Sequence, residues 1–395
     1  MKRFFTLILT SLVALSACDN DDDSNNNDAQ LALAIENYAA IVEANYLDAY
    51  DDARALQTAV GTFITAPSEA TMEAAKDAWL AARETYGQTE AFRFYGGPID
   101  DEDGPEGQLN AWPLDESHID YVTVDSNGDG QVGGEGKNII NSPDEFPTIT
   151  KEVIAEQNEN GGETNVSSGY HAIEFLLWGQ DVSADAGGGE RPYTDYTTLE
   201  NADRRKTYLS EVTALVVDDL KSLVDEWAAD GAFRVSFTAS DNNTAAFGDI
   251  LSALGKLSKG ELAGERMYVA LDLKSKEDEH SCFSDNTHRD IVTNALGIQN
   301  VYEGRYKTTS GSIVTGVSIK SIIAEKDSKL ADDISTKMEE ALAACEAIHS
   351  PFDQEILSVE GGDRVLTAIN LLRDQGDLLA EAADAFDLSF DPDDI

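Results

Sequence analysis

Basic residues are scarce in this chain. Its 395 residues hold 28 Lys and Arg against 75 Asp and Glu, a formal net charge of −47. No basic cluster stands out, which argues against a nucleic-acid partner, because phosphate binding needs a basic footprint. The same deficit argues against docking of the folded surface on anionic lipid. Beyond the N-terminal leader, no segment approaches eighteen consecutive apolar residues, so no spanning helix is expected in the body. Strand signals are few: residues 121–124 and 233–237 alternate, but they are short and lack a set of partners. There is no H-E-x-x-H, G-x-S-x-G, G-x-x-x-x-G-K-[ST] or C-x-x-C-H. The standard zincin site, the nucleophile elbow, the phosphate loop and the c-type haem site are therefore all missing.

What is present is enough to build cores. Hydrophobic content is 42%, with 4 Trp, 14 Phe and 13 Tyr, so the acidity is not a sign of global disorder. Met72, Ala75, Trp79, Ala82 and Tyr86 recur at steps of three and four. So do Leu209, Val212, Val216, Leu220, Leu223 and Trp227, then Leu330, Ile334, Met338, Ala341, Cys345 and Ile348, and later Val365, Ile369 and Leu372. Each set predicts one apolar face of a helix. The length exceeds what one core usually fills. The expected fold is all-α, with two helical-bundle domains. The expected division is a leader at 1–17, an acidic tether at 18–30, an N-terminal bundle at 31–200 and a C-terminal bundle at 201–390. Asp203 is the expected N-cap of the second bundle. Two long irregular stretches, 95–162 and 183–196, interrupt the helices, and a long connection is usually functional.

Lys2 and Arg3 precede an apolar run at 4–14, then Leu15-Ser16-Ala17-Cys18. That order resembles a bacterial lipobox, which implies lipidation of Cys18 and cleavage before it. The lipid would be the only membrane anchor, and the Asp- and Asn-rich residues 19–28 would tether the folded body to it. Cys282 and Cys345 remain, and either one disulfide or two free thiols stays open.

Four constellations could carry chemistry. In Gly169-Tyr170-His171-Ala172-Ile173-Glu174, His171 and Glu174 share a helix face at i,i+3. Such a pair can bind one iron or zinc ion, or simply hydrogen-bond inside a buried helix. Burial of a carboxylate calls for a partner, and the flanking residues are apolar. In residues 277–288, Glu277 with His280 and Asp285 with His288 repeat the spacing; a polar turn with Ser284 or Asp285 as N-cap is the alternative. Glu90 and Arg93 form a possible ion pair, and Trp112-Pro113 would pin a loop near Asp115. Asp125, Asn127, Asp129 and Gln131 match the first half of a calcium loop over 125–136, but position 12 is Gly136 instead of an acid.

The segment GYHAIEFLLWG resembles the G-x-H-x-x-E signature of the imelysin family. EAFRFYGGPID, NAWPLDE, NADRRKTYL, KLSKGELAGERM and EHSCFSDNTHRD resemble its iron-regulated protein A branch. The resemblance implies two helical bundles with a cleft and a lipoprotein of the periplasm or outer membrane. It also implies a role in iron uptake, with iron-transport proteins as partners, and a classification as metallopeptidase. It makes His171 and Glu174 the motif pair and points Glu90, Arg93, Asp115, His280, Ser281, Asp285 and His288 at the same cleft. The calcium-like loop is not part of that pattern. Two functions follow as expectations: capture of a metal ion or iron-bearing ligand, which is favoured, or metal-dependent peptide hydrolysis, which needs a third ligand and a base.

Overall fold

The computed structural model describes residues 21–123, 138–162, 165–182 and 187–395. The chain opens with α1 (Asp21–Thr65) and α2 (Glu69–Thr89), continues through α3 (Gly169–Trp178) and α4 (Ala202–Trp227), and then α5 (Asn243–Lys256). A twelve-residue π-helix (Leu257–Tyr268) extends α5. It is followed by α6 (Thr287–Tyr302), the hairpin strands β1 (Arg305–Lys307) and β2 (Ile313–Thr315), α7 (Ile319–Lys326), α8 (Ser328–Glu346) and α9 (Val359–Ala385). The two strands pair antiparallel, Tyr306 opposite Val314. The fold is all-α apart from this hairpin among the described residues.

Each apolar stripe read from the sequence faces inward. The sets from Met72, Leu209, Leu330 and Val365 are buried throughout. α1 packs on both α2 and α4, α3 on α2 and α4, and α6 on α2 and α8. α9 covers α8, α5 and the π-helix. One core runs from Ala34 to Ala383, and a second gathers Leu262, Met267, Ile291, Phe352 and Ile369. α4 thus shares its core with helices that precede residue 200.

Several local expectations are revised. α1 begins at Asp21, inside the stretch read as a tether. Asn201, in a left-handed conformation, precedes α4, so Asp203 lies in the first turn and does not cap it. Asn286, not Ser284 or Asp285, precedes α6. Residues 233–237 belong to a short helix (Ala232–Phe237), because Phe233 and Phe237 stand one turn apart and both pack on Trp227. Cys282 and Cys345 are free, buried thiols in different cores, so no bridge forms. No helix among the described residues is long and apolar enough to cross a membrane.

Candidate functional site

α3 is short, and every one of its ten residues is buried. Two glycines bracket it. Gly169 has φ +78, and a Cβ there would lie 2.5 Å from the Leu109 carbonyl oxygen. Gly179 has φ +75, and its N–H donates to the Phe175 carbonyl at 2.7 Å. Only glycine adopts such backbone freely, so the helix is short by construction. The Trp79 indole N–H donates to the Tyr170 carbonyl at 2.9 Å and fixes α3 against α2.

This buried helix carries His171 and Glu174 on one face, as the spacing predicts. His171 Nδ1 and Glu174 Oε2 share a hydrogen bond at 2.9 Å, with both side chains fully buried. Glu174 Oε1 accepts from the Ser284 N–H at 2.9 Å and from its Oγ at 2.6 Å. Burial pushes the Glu174 carboxyl up to about 8, against the opposing hydrogen bond from Ser284. Burial also drives His171 well below the usual imidazole range, helped by the charges of Arg83 and Arg266. His171 Nε2 is buried without a hydrogen-bond partner. Its ring lies 4.9 Å from that of Trp112 and 4.8 Å from that of His280.

Trp112 and His280 separate the pair from a cavity of about 590 Å³. The walls come from two distant stretches: Arg93, Glu106, Asn110, Trp112, Pro113, Glu159 and Val166 on one side, Glu261, Glu265, Arg266, Val269, Glu277, Asp278 and His280 on the other. The second group is delivered by the π-helix and the turn after Val269–Leu273. A π-helix this long is rare, and such geometry is concentrated at functional sites.

The cavity floor is a dense polar network. Glu90 Oε2 accepts from Arg93 Nη1 and Arg266 Nη2, each at 2.7 Å. Burial alone would raise the Glu90 carboxyl, but Arg266 and then Arg93 hold it at about 2. Asn110 Nδ2 donates to Glu90 Oε1 and to His280 Nε2, both at 3.2 Å, while Asn110 Oδ1 accepts from Arg83 Nη1 at 2.6 Å. That orientation makes His280 Nε2 an acceptor and leaves the ring proton on Nδ1. Arg83 Nε donates to Asp290 Oδ1 at 3.0 Å, and Ser281 Oγ donates to Asp290 Oδ2 at 2.5 Å. Arg93 and Arg266 also meet Glu106 and Glu261.

The predicted residues sort into three groups. Glu90, Arg93, His280 and Ser281 join the floor network, and Arg93 and His280 face the cavity. Asp115 does not: it caps the short helix Glu116–Ile119, accepting from the His118 N–H at 3.2 Å and the Ser117 hydroxyl at 2.6 Å. Asp285, with φ +57, and His288 line a different depression of about 440 Å³, beside Ser284 and Arg289. Their i,i+3 spacing brings His288 Nδ1 to the Asp285 backbone carbonyl and not to its carboxylate. Asp125, Asn127, Asp129 and Gln131 lie outside the described residues. Arg83, Asn110, Arg266 and Asp290 are the functional neighbourhood that motif reading misses. Their signal was a charged or amide side chain at a core-facing position of a helix, which calls for a buried partner.

The donor set can be tested against a metal. Among the described residues no group of three or more His, Cys, Asp and Glu side chains is arranged to hold an ion. Both Glu174 oxygens are already engaged in hydrogen bonds, and His171 Nδ1 is turned to Glu174. The pair offers one nitrogen, Nε2, and not the two-donor chelate expected from its spacing. A bare ion held jointly by His171 and Glu174 does not fit this arrangement.

The family model described as Imelysin, Peptidase M75, matches residues 42–379. The iron-regulated protein A of Synechococcus elongatus is 26% identical over 337 residues, 83% of this chain and 78% of that protein. Among solved structures, an iron-regulated protein A precursor from Parabacteroides distasonis superposes with a TM-score of 0.70 at 19% identity, covering 91% of this chain and 95% of that one. An imelysin-like protein from Psychrobacter arcticum superposes with a TM-score of 0.62 at 12% identity, covering 96% and 99%. The two structures share the fold.

Proposed function

The chain belongs to the imelysin family, and we propose that it is a binding protein that captures an iron cation in the acidic cavity. The iron is cargo, and it keeps part of its own ligand shell. One observation carries this reading. The carboxylates of the cavity floor are held by arginines, whereas the rim bears Glu159, Glu265, Glu277 and Asp278, none of which is paired with a described cation. Unpaired carboxylates around a partly enclosed space concentrate cations, and oxygen and imidazole donors suit iron. A volume of about 590 Å³ accommodates a hydrated or chelated ion, which needs fewer protein donors than a bare one. The likeness to a protein named for its iron regulation supports the choice of metal.

In this reading His171 and Glu174 are positioning residues. Glu174 orients His171, whose ring packs against the Trp112 and His280 rings that form the cavity's inner wall. The lipobox-like sequence at residues 15–18 supports a position in the bacterial cell envelope, anchored through Cys18, with the folded body facing the iron supply. A rival reading, a metal-dependent peptidase, draws support from the unpartnered His171 Nε2 backed by a carboxylate, an arrangement common behind catalytic zinc.

The test titrates the mature chain anaerobically with Fe²⁺ and, separately, with hexaamminecobalt(III), an inert cation that keeps its own shell. The binding reading expects one site for both, and weaker binding in the Glu265→Gln/Glu277→Gln/Asp278→Asn variant. Insulin is incubated with the same preparations, with and without chelator. Chelator-sensitive cleavage that is lost in His171→Ala/Glu174→Ala would overturn the binding reading in favour of hydrolysis.

A further inference from the structure

The segment after the π-helix runs antiparallel to the start of α9. Three contacts define the seam. The Arg373 guanidinium lies 4.9 Å above the Tyr268 ring, Leu271 Cδ1 would lie 3.5 Å from a Cβ on Gly362, and Lys274 Nζ donates to the Ile356 carbonyl at 2.7 Å. Along this seam stand large apolar side chains that face solvent. Val359 is 82% exposed, Leu273 61%, Leu357 55%, Leu366 40% and Tyr268 39%. Single exposed apolar residues are ordinary, but five gathered on two adjoining stretches, 268–273 and 357–366, are a candidate interaction surface.

The rim of the patch has one sign. Glu265, Asp272, Glu277, Glu360 and Asp363 are exposed around it, against Lys274 as the exposed base. Arg364 is engaged by Glu355, and Arg373 covers Tyr268. A second copy would bring acidic rim against acidic rim, in a chain whose net charge is −47. An anionic lipid surface is repelled for the same reason. An apolar face bordered by Lys and Arg is what matches. The surface also adjoins the cavity, because Glu265, Val269 and Glu277 belong to both.

We infer that the seam of Tyr268, Leu273, Leu357, Val359 and Leu366 is the docking site for a protein partner that presents an apolar face bordered by basic residues. The docked partner sits at the edge of the cavity mouth, placed to deliver or withdraw what the cavity holds. The docking itself requires no cation, so it stands or falls separately from the capture reading.

The probe is a designed amphipathic helical peptide with a Leu face and Lys/Arg flanks, labelled for fluorescence anisotropy and titrated with the full mature chain in the absence of metal. Leu273→Ser/Val359→Ser is expected to weaken binding about tenfold or more, and Glu360→Lys/Asp363→Lys to weaken it and flatten its salt dependence. The control Leu33→Ser/Val235→Ser, which removes exposed apolar side chains elsewhere, is expected to change nothing. Equal loss in the control, or no loss in the seam variant, overturns the inference. So does a concentration-dependent dimer, or binding to phosphatidylglycerol vesicles by the unlipidated chain, that disappears in Leu273→Ser/Val359→Ser.

Discussion

Two buried ionic networks are built from the same residue types, and one of them floors the cavity. Around Asp120, two guanidiniums meet two carboxylates. Asp120 Oδ2 accepts from Arg191 Nη1 at 2.7 Å and from Arg205 Nε at 2.6 Å, and Oδ1 accepts from Arg205 Nη2 at 2.8 Å. Asp195 completes the set, accepting from the Tyr121 hydroxyl at 2.6 Å. The Tyr121 and Phe175 rings lie against the guanidiniums. This network is balanced in charge. Around Glu90, three guanidiniums (Arg83, Arg93, Arg266) meet four carboxylates (Glu90, Glu106, Glu261, Asp290), and further carboxylates rise above them on the cavity rim. The first arrangement can only brace the fold. The second brackets a space with surplus negative charge, and surplus charge beside a cavity is what a cationic ligand would answer.

The contrast breaks most sharply under substitution. Asp120→Asn leaves two buried guanidiniums short of charge, and removing one partner of a buried pair costs about 3–5 kcal/mol. Urea denaturation should show that loss, while the folded variant binds cation as the parent does. Acid should act on both networks in the same direction. The carboxyls of Asp120 and Glu90 are held at about 2 by their arginines, against the effect of burial. Their stabilisation is complete above the unfolded carboxyl range and is lost as pH falls toward 2. A pH series of melts with a steep loss below about pH 4.5 checks this.

Neutralising the rim reverses the pattern. Glu265→Gln/Glu277→Gln/Asp278→Asn should lower cation affinity about tenfold, ~1.4 kcal/mol, and leave stability within about 0.5 kcal/mol. Ser284→Ala removes one of the two Ser284 hydrogen bonds to Glu174 and should cost about 1 kcal/mol in urea denaturation. The smallest effect is expected from pH alone. Desolvation, then the charge of Glu116, pushes the Glu277 carboxyl to about 7. It loses its proton as pH rises through that value, so cation affinity should increase roughly twofold to threefold between pH 6 and 8, read by calorimetry.

Much of the fold was legible in the sequence because helices announce themselves by period. The stripe from Leu330 to Ile348 is buried as written, and α3 with its His171–Glu174 face is where the motif put it. The floor of the cavity was half legible. Glu90 and Arg93 are neighbours in the chain, but Arg266 reaches Glu90 across 176 positions and Asp290 reaches Arg83 across 207. Partnerships of that range leave no local spacing to read. Asp115 shows the opposite failure, since the family resemblance pointed it at the cleft, while an Asp ahead of a short helical turn serves first as a cap. The π-helix was equally hidden, because its registry depends on tertiary packing and not on a pattern of residue types.

The central claim is that the surplus carboxylates of the rim, and not the His171–Glu174 pair, receive the cation. Crystals of the full mature chain soaked anaerobically in Fe²⁺ and measured at the iron absorption edge test it directly. The predicted result is an anomalous peak in the cavity, near Glu265, Glu277 and Asp278. A peak bonded to His171 Nε2 behind Trp112, with the rim left empty, would contradict it.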